Sequence, residues 1–104
     1  MIRVVEKNAR TYPLLICDIC GERIENLGLG AAVFPRTDVD GEINDVLHVH
    51  KRSCHDAAER KVGGGKGAPW QELQDHFVYL MANAGKPVEQ LVERAKTLND
   101  FGVL

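Results

Sequence analysis

The chain has 104 residues and a formal net charge of −2, with 44% hydrophobic and 27% charged residues. This length allows one small domain, or a mini-domain with an appendage, and the composition is typical of a folded globular protein rather than a disordered one. The near-neutral charge supplies no whole-molecule attraction for nucleic acid or for an anionic membrane, so any such binding must be local.

Neither a membrane span nor a secretory signal is predicted. The longest uncharged apolar run, Tyr12 to Ile16, is too short to cross a bilayer, and the stretch MIRVVEKNAR has charges where a signal needs its apolar centre. We therefore expect a cytoplasmic protein with no membrane partner. The 3 cysteines cannot all pair within one chain, and a reducing compartment disfavours disulfides, which leaves metal or redox chemistry.

Four short strands are predicted in the first part of the chain, in the stretches IRVVE, PLLIC, GAAVF and DVLHV. The sequence TDVDGEIND separates the last two, and its Asp40-Gly41 pair suits a hairpin turn. A helix should follow, running to about Val62. Its start is predicted at Ser53, whose hydroxyl is placed to accept from an early helical N–H group, with Asp56 near the positive end of the helix dipole.

A glycine-rich segment, residues 63–68, divides the chain. Pro69 fits the first position of a second helix, Gly85 its end and Pro87 the start of a third. The apolar stripes of the two helices are Trp70, Leu73, Phe77, Leu80, Met81 and Ala84, and then Val88, Leu91, Val92, Ala95 and Leu98. The sequence thus predicts an α+β unit over residues 1–62, a linker over residues 63–68 and a helical hairpin over residues 69–104.

The stretch LLICDICGERI contains the first half of a predicted metal site. In a Cys-x-x-Cys turn, Cys17 and Cys20 can face one ion, and Gly21 permits the tight turn. The second half must come from the stretch HVHKRSCHDAAER. There Cys54 is the third predicted ligand, in the first turn of the helix, where the dipole favours a thiolate.

Three histidines compete for the fourth position. We favour His50, because it lies at the exit from a strand and the three residues between it and Cys54 let the chain turn back around the ion. His55 is the second candidate. His48 stays open as well, because strand alternation places it on the same face as His50. The predicted cofactor is one structural Zn²⁺ per chain, held by Cys17, Cys20, His50 and Cys54.

The CxxCG turn, a β-hairpin and a helix that carries a ligand in its first turn together resemble a treble-clef zinc finger, over roughly residues 14–62. That resemblance implies a structural metal and a small zinc-bound α+β unit. The stretches HVHKRSCHD and ELQDHFVYLMANAG are also similar to small proteins of actinobacteria and their phages, a likeness that implies no particular activity.

Three functional hypotheses follow. The first is a non-catalytic, zinc-stabilised module that contacts a protein partner or a second copy through residues 69–104; in the alternative, that hairpin only completes the core. The second is a nucleic-acid-binding regulator that uses the basic segment, residues 51–66. The third is an HNH-like nuclease, which LHVHKRSCHD partly resembles, although residues 57–62 contain no Asn or His to complete a catalytic site. A redox dithiol is disfavoured, because the residues after Cys20 do not continue as a helix.

Overall fold

We describe the fold over residues 1–64 and 67–101 from a computed structural model. Lys66, in the predicted linker and basic segment, and residues 102–104, at the end of the predicted helical hairpin, lie outside the described residues. The strands are β1 (Ile2–Lys7), β2 (Arg10–Leu15), β3 (Gly30–Val33), β4 (Leu47–His50) and β5 (Trp70–Glu72). The helices are α1 (Ser53–Gly63), α2 (Leu73–Asn83) and α3 (Val88–Asp100).

The architecture is α+β, as predicted, with two small antiparallel sheets. Strands β1 and β2 form a two-stranded ribbon, and β4, β3 and β5 form a three-stranded sheet in that order. The chain divides into two compact units, of which the first is Met1–Gln74 and the second begins at Asp75. The boundaries at residues 62 and 69 stay predictions. Within the described residues, no helix is long and apolar enough to cross a membrane.

The β1–β2 ribbon is joined by a two-residue turn. Asn8 and Ala9 have φ values of 53° and 62°, the combination that matches the twist of the flanking strands. Asn adopts this conformation readily, whereas Ala9 adopts it against the clash of its Cβ. The turn places Lys7 directly opposite Arg10, and the register continues to Ile2 opposite Leu15.

The connection between β3 and β4 is longer than the sequence suggested. The two strands pair from Gly30 opposite His50 to Val33 opposite Leu47, so residues 34–46 all lie in the loop. Asp40-Gly41 is therefore inside a long loop and not at the centre of a tight hairpin. Asp45, with φ of 60°, adopts a left-handed conformation in this loop shortly before β4 begins.

The start of α1 also differs from the prediction. The N-cap is Arg52, with φ of 72°, and no side chain caps the helix; Ser53 is its first helical residue. The last turn ends as expected near Val62, with Gly64 in the left-handed conformation. The left-handed turn at Arg52 lets the chain reverse between β4 and α1 within three residues.

Residues 70–72 are a strand, so the prediction that Pro69 begins a helix is wrong. Trp70 pairs with Val33, and the carbonyl of Pro69 accepts from the N–H of Phe34 at 2.9 Å. The free edge of β3 offers these residues backbone partners, and an aromatic residue such as Trp suits a strand. Helical periodicity continued across Trp70 by coincidence, and tertiary pairing decided the structure.

The core of the first unit is small and includes the whole of β3. All four residues of β3 are buried. The largest fully buried side chains are Leu73, Val33, Val49 and Cys17. Leu73 packs so closely against the backbone of Gly30 that a Cβ there would lie 2.5 Å from a Leu73 methyl carbon.

The remainder of α2 and all of α3 belong to the second unit. Gly85, in the left-handed conformation, ends α2 as predicted, and the N–H of Lys86 bonds back to the carbonyl of Met81 at 3.2 Å. Pro87 is the N-cap of α3. Along α3 the predicted stripe is half-buried at Val88, Leu91, Ala95 and Leu98, whereas Val92 is exposed.

Leu73→Ala should therefore destabilise the first unit. Truncation leaves a cavity against β3, and we expect the free energy of unfolding to fall by about 2–5 kcal/mol, measured by urea denaturation. Leu29→Ala is the matched control, since Leu29 is 61% exposed and Leu73 is fully buried; it should change stability by less than about 1 kcal/mol. Equal effects of the two variants would contradict the assignment of Leu73 to this core.

Candidate metal centre

The first half of the centre is a tight turn at the end of β2. The N–H of Gly21 bonds to the carbonyl of Cys17 at 3.1 Å, and the N–H of Cys17 bonds to the carbonyl of Glu22 at 2.9 Å. Gly21 has φ of 76°, a conformation that favours glycine. An isolated bridge between Ile16 and Arg23 closes the turn at its base.

Backbone N–H groups of this turn point at the sulfurs. Ile19 donates to Cys17 Sγ and Glu22 donates to Cys20 Sγ, each at 3.5 Å. Such bonds stabilise negative charge on sulfur, because they place positive N–H dipoles beside a thiolate. The turn is thus shaped to present two thiolates on the same side.

The second half of the centre lies where β4 ends and α1 begins. His50 is the last residue of β4, and Cys54 lies in the first turn of α1. The chain reverses at Arg52, so the side chain of Cys54 returns to the cluster that His50 forms with the Cys-x-x-Cys turn. Together Cys17, Cys20, His50 and Cys54 offer four ligand atoms that all lie within 4.8 Å of one another. The structure therefore brings together all four residues that the sequence predicts as ligands.

This spacing fits a tetrahedral ion. With Zn–S bonds of about 2.3 Å, two sulfurs of such a site are about 3.8 Å apart. Cys20 Sγ and His50 Nδ1 are already 3.4 Å apart. Three thiols and an imidazole are also the donor set that zinc prefers. The arrangement is compatible with a zinc finger.

The ring of His50 is oriented by its other nitrogen. Nε2 lies 3.0 Å from the carbonyl oxygen of Arg23, so an Nε2–H donates there and leaves the Nδ1 lone pair facing the sulfurs. Metal-binding histidines typically have such an outer partner, which fixes the tautomer and the ring plane. The role of the Arg23 carbonyl was not predicted from the sequence, because every residue type has a main-chain carbonyl.

The other two candidate histidines have different partners. His55 Nε2 lies 2.9 Å from Glu59 Oε1, and its ring packs edge-on against Trp70 with centroids 4.8 Å apart. His48 Nδ1 lies 3.8 Å from Asp18 Oδ2. Neither residue belongs to the cluster, so the geometry favours His50 among the three alternatives.

Two acidic residues beside the centre, Asp18 and Glu59, make structural contacts. Asp18 Oδ2 accepts from the N–H of His48 at 2.8 Å, and its own N–H donates to the carbonyl of His48 at 2.9 Å. Asp18 therefore joins the first half of the centre to β4. Glu59 is paired with His55 one turn away along α1.

The thiols of the cluster have opposite pKa shifts. Burial raises the pKa of Cys17, but backbone hydrogen bonds from Cys20, His50 and Ile19, with the His50 side chain, outweigh it and lower the pKa to about 6. Burial, together with the adjacent sulfurs of Cys17 and Cys20, raises the pKa of Cys54 to about 11. A thiolate at Cys54 is thus disfavoured by the other sulfurs unless a cation lies between them. All three cysteines are free of disulfides.

The predicted basic segment is interrupted by acidic groups. Lys51 forms an ion pair with Glu72 of β5, and Glu59 lies between the cysteine-bearing turn of α1 and the exposed Arg60 and Lys61. Binding of nucleic acid to residues 51–66 stays a prediction, as does the nuclease alternative.

Substitution of the histidines should separate the candidates. We expect one zinc ion per chain, and His50→Ala should weaken zinc binding by more than the ten- to hundredfold typical of lost outer-shell partners. His48→Ala and His55→Ala are the matched controls and should retain the metal, because neither side chain belongs to the cluster. Zinc affinity is measured by competition with a chromogenic chelator. Metal retained in His50→Ala and lost in His55→Ala would contradict this ligand set.

Comparisons of the chain with protein-family models, with curated protein sequences and with solved structures find no match.

Proposed function

We propose that the protein is a non-catalytic interaction module whose first unit is stabilised by one structural Zn²⁺ ion. The observation that carries this proposal is the cluster of Cys17, Cys20, His50 and Cys54, with ligand atoms within 4.8 Å of one another. Four protein ligands complete a tetrahedral zinc site, whereas a catalytic site keeps one position for water or substrate. When bound, the metal cross-links the two ligand-bearing segments and has no catalytic role.

We further propose that the zinc-binding unit is a treble-clef finger. The ligand-bearing turn is followed by the β3–β4 hairpin and then by α1, with ligands from the turn, the end of β4 and the first turn of α1. The order of these elements supports the assignment. The long loop between β3 and β4 is the main departure from a compact hairpin.

The small size of the core supports a structural role for the ion. Among the described residues of the first unit, the largest fully buried side chains are two valines, one leucine and a cysteine. A core of this size contributes little stability by itself, and small folds commonly use a metal to compensate. Two of the ligands come from each of two distant segments, so the ion closes a long loop.

Removal of the metal should unfold the ligand-bearing region, and not leave it folded with a vacant metal site. Zinc binding contributes on the order of 10 kcal/mol to small finger folds, so a strong chelator should abolish amide protection in residues 14–62. Cys54→Ser should behave similarly. Hydrogen exchange followed by mass spectrometry gives the readout, and addition of Zn²⁺ should restore protection. If protection in β3 and α1 survived chelation, the ion would be peripheral to the fold.

We propose that the contact surface for a partner lies on the C-terminal helices. Val78, Tyr79 and Leu80 of α2 are 43%, 56% and 55% exposed, and Val92 of α3 is 49% exposed. Consecutive exposed apolar residues on one short helix are unusual on a surface without a partner. The partner is a second copy of the chain or another protein.

Tyr79→Ser combined with Leu80→Ser should abolish that contact and leave the zinc content unchanged. Analytical ultracentrifugation tests self-association, and affinity capture with the full chain tests another partner. Gln90→Ser with Thr97→Ser, at exposed polar positions of α3, is the control and should bind as the wild type does. A wild-type chain that is monomeric and captures no protein would refute this part of the proposal, while the zinc-dependent fold would stand.

A further inference from the structure

The β1–β2 ribbon has two chemically different faces. Paired residues of antiparallel strands share a face, and successive residues alternate between faces. One face carries Ile2, Val4, Glu6, Thr11, Pro13 and Leu15. The other carries Arg3, Val5, Lys7, Arg10, Tyr12 and Leu14, and we call it the basic ribbon face.

A cleft of about 490 Å³ opens on the basic ribbon face. Its lining combines apolar side chains with cations: Val5, Lys7, Asn8, Tyr12, Leu14 and Arg23. Arg23 comes from the turn that follows the Cys-x-x-Cys pair and adds a cation at the side of the ribbon. The cleft therefore has an apolar, aromatic floor with positive charge around it.

The four cations of this surface are Arg3, Lys7, Arg10 and Arg23, and all four are exposed. Among residues 1–64 and 67–101, the ion pairs involve none of them. The single carboxylate of the ribbon, Glu6, belongs to the opposite face. The basic ribbon face is thus a local positive patch on a chain whose formal net charge is −2.

One pair on this face is unfavourable in the isolated chain. Lys7 lies directly opposite Arg10 at the end of the ribbon. Like charges at directly opposed positions of an antiparallel pair are destabilising, whereas a bound anion between them attracts both and offsets their repulsion. The placement is therefore one that a polyanion would stabilise.

We propose that the basic ribbon face binds single-stranded nucleic acid, with phosphates held by the four cations and a base stacked on Tyr12. Tyr12 is 43% exposed and lines the cleft, and aromatic side chains among cations are the usual elements of such surfaces. Arginine matches phosphate with its planar, forked donors. The site lies outside residues 51–66, where the sequence alone placed the basic segment.

An acidic protein segment is the competing occupant. A peptide strand would add along an edge of the ribbon through main-chain hydrogen bonds. The cations instead lie on both strands and beyond them at Arg23, around an apolar floor. That distribution suits a ligand that lies across the face and stacks on it, which favours the nucleic acid.

Fluorescence anisotropy tests the proposal with the full, zinc-loaded chain and a fluorescein-labelled oligothymidylate of roughly 12 nucleotides, within the span of known single-strand sites. We expect binding at low salt, and a plot of log affinity against log salt with a slope of about −2 to −3, since each neutralised phosphate contributes about −0.7. Absence of binding at low salt, or an affinity independent of salt, overturns the proposal.

Two matched double variants locate the site. Lys7→Gln with Arg10→Gln should reduce the steepness of the slope by about 1.4, and the loss of a like-charge pair should not unfold the ribbon. Arg60→Gln with Lys61→Gln removes the same charge from exposed positions of α1 and should leave the affinity unchanged. The reverse result, with binding lost only in the α1 variant, assigns the nucleic acid to residues 51–66 and overturns the proposal.

Tyr12→Leu tests the stacking and keeps an apolar residue on the face. The affinity should fall roughly tenfold with the salt slope unchanged, because stacking contributes on this scale for each base. Zinc content and far-UV circular dichroism confirm that each variant is folded. If Tyr12→Leu binds as the wild type does, or if a poly-glutamate peptide displaces the probe as well as unlabelled oligothymidylate does, the surface is a general anion site and the proposal fails.

Discussion

The junction between the Cys-x-x-Cys turn and the end of β4 is the constraint on which the first unit depends. It joins residues about thirty positions apart by hydrogen bonds that each involve a main-chain atom: Asp18 exchanges two hydrogen bonds with His48, and the ring of His50 bonds to the carbonyl of Arg23. In the folded state these bonds hold the two ligand-bearing segments in the orientation that brings the four ligand atoms together. The hydrogen bonds and a bound ion would therefore stabilise the same arrangement, and loss of the ion would remove the larger contribution.

The small core and the long β3–β4 loop explain why a bound ion would stabilise the first unit. The buried side chains of the sheet are mostly small, such as Ala31, Ala32 and Val33, and small side chains remove little apolar area from water. Folding must still offset the conformational entropy of a long loop between β3 and β4. A metal ion would join residues on either side of this segment and so act on the entropy term directly, whereas a larger side chain at position 30 is excluded by the close approach of Leu73.

The ligand set was predictable because residue types and spacing report metal chemistry directly. Cys17, Cys20 and Cys54 follow from thiolate preference and the geometry of a tight turn, and His50 from its place at a strand end. The existence of β1 to β4 was predictable from short apolar runs bounded by turn residues, although β2 begins three residues before the expected PLLIC stretch. The helix α1 was expected from a capping sequence, and it forms without a side-chain cap. In contrast, β5 was not, because Trp70 becomes a strand residue only through the free edge of β3, which is remote in sequence. The N-cap at Arg52 likewise depends on the position at which β4 ends. No local capping signal in the sequence indicates it.

The ribbon is joined to the metal centre, and the metal centre is joined to the three-stranded sheet. A two-stranded ribbon is marginally stable in water by itself, and this one carries an alanine in a left-handed turn and a like-charge pair at its end. Its opposite end continues through β2 into the bridge between Ile16 and Arg23, directly beneath the Cys-x-x-Cys turn. Arg23 thus takes part in three features at once: the bridge that closes the turn, the carbonyl that orients His50, and the cleft of the basic ribbon face. The Met1 ammonium, directly before β1, also contacts Asp18 of that turn at 3.2 Å. The ribbon is therefore held to the metal centre at the ends of both of its strands, which is where a marginally stable ribbon gains most from a fixed neighbour.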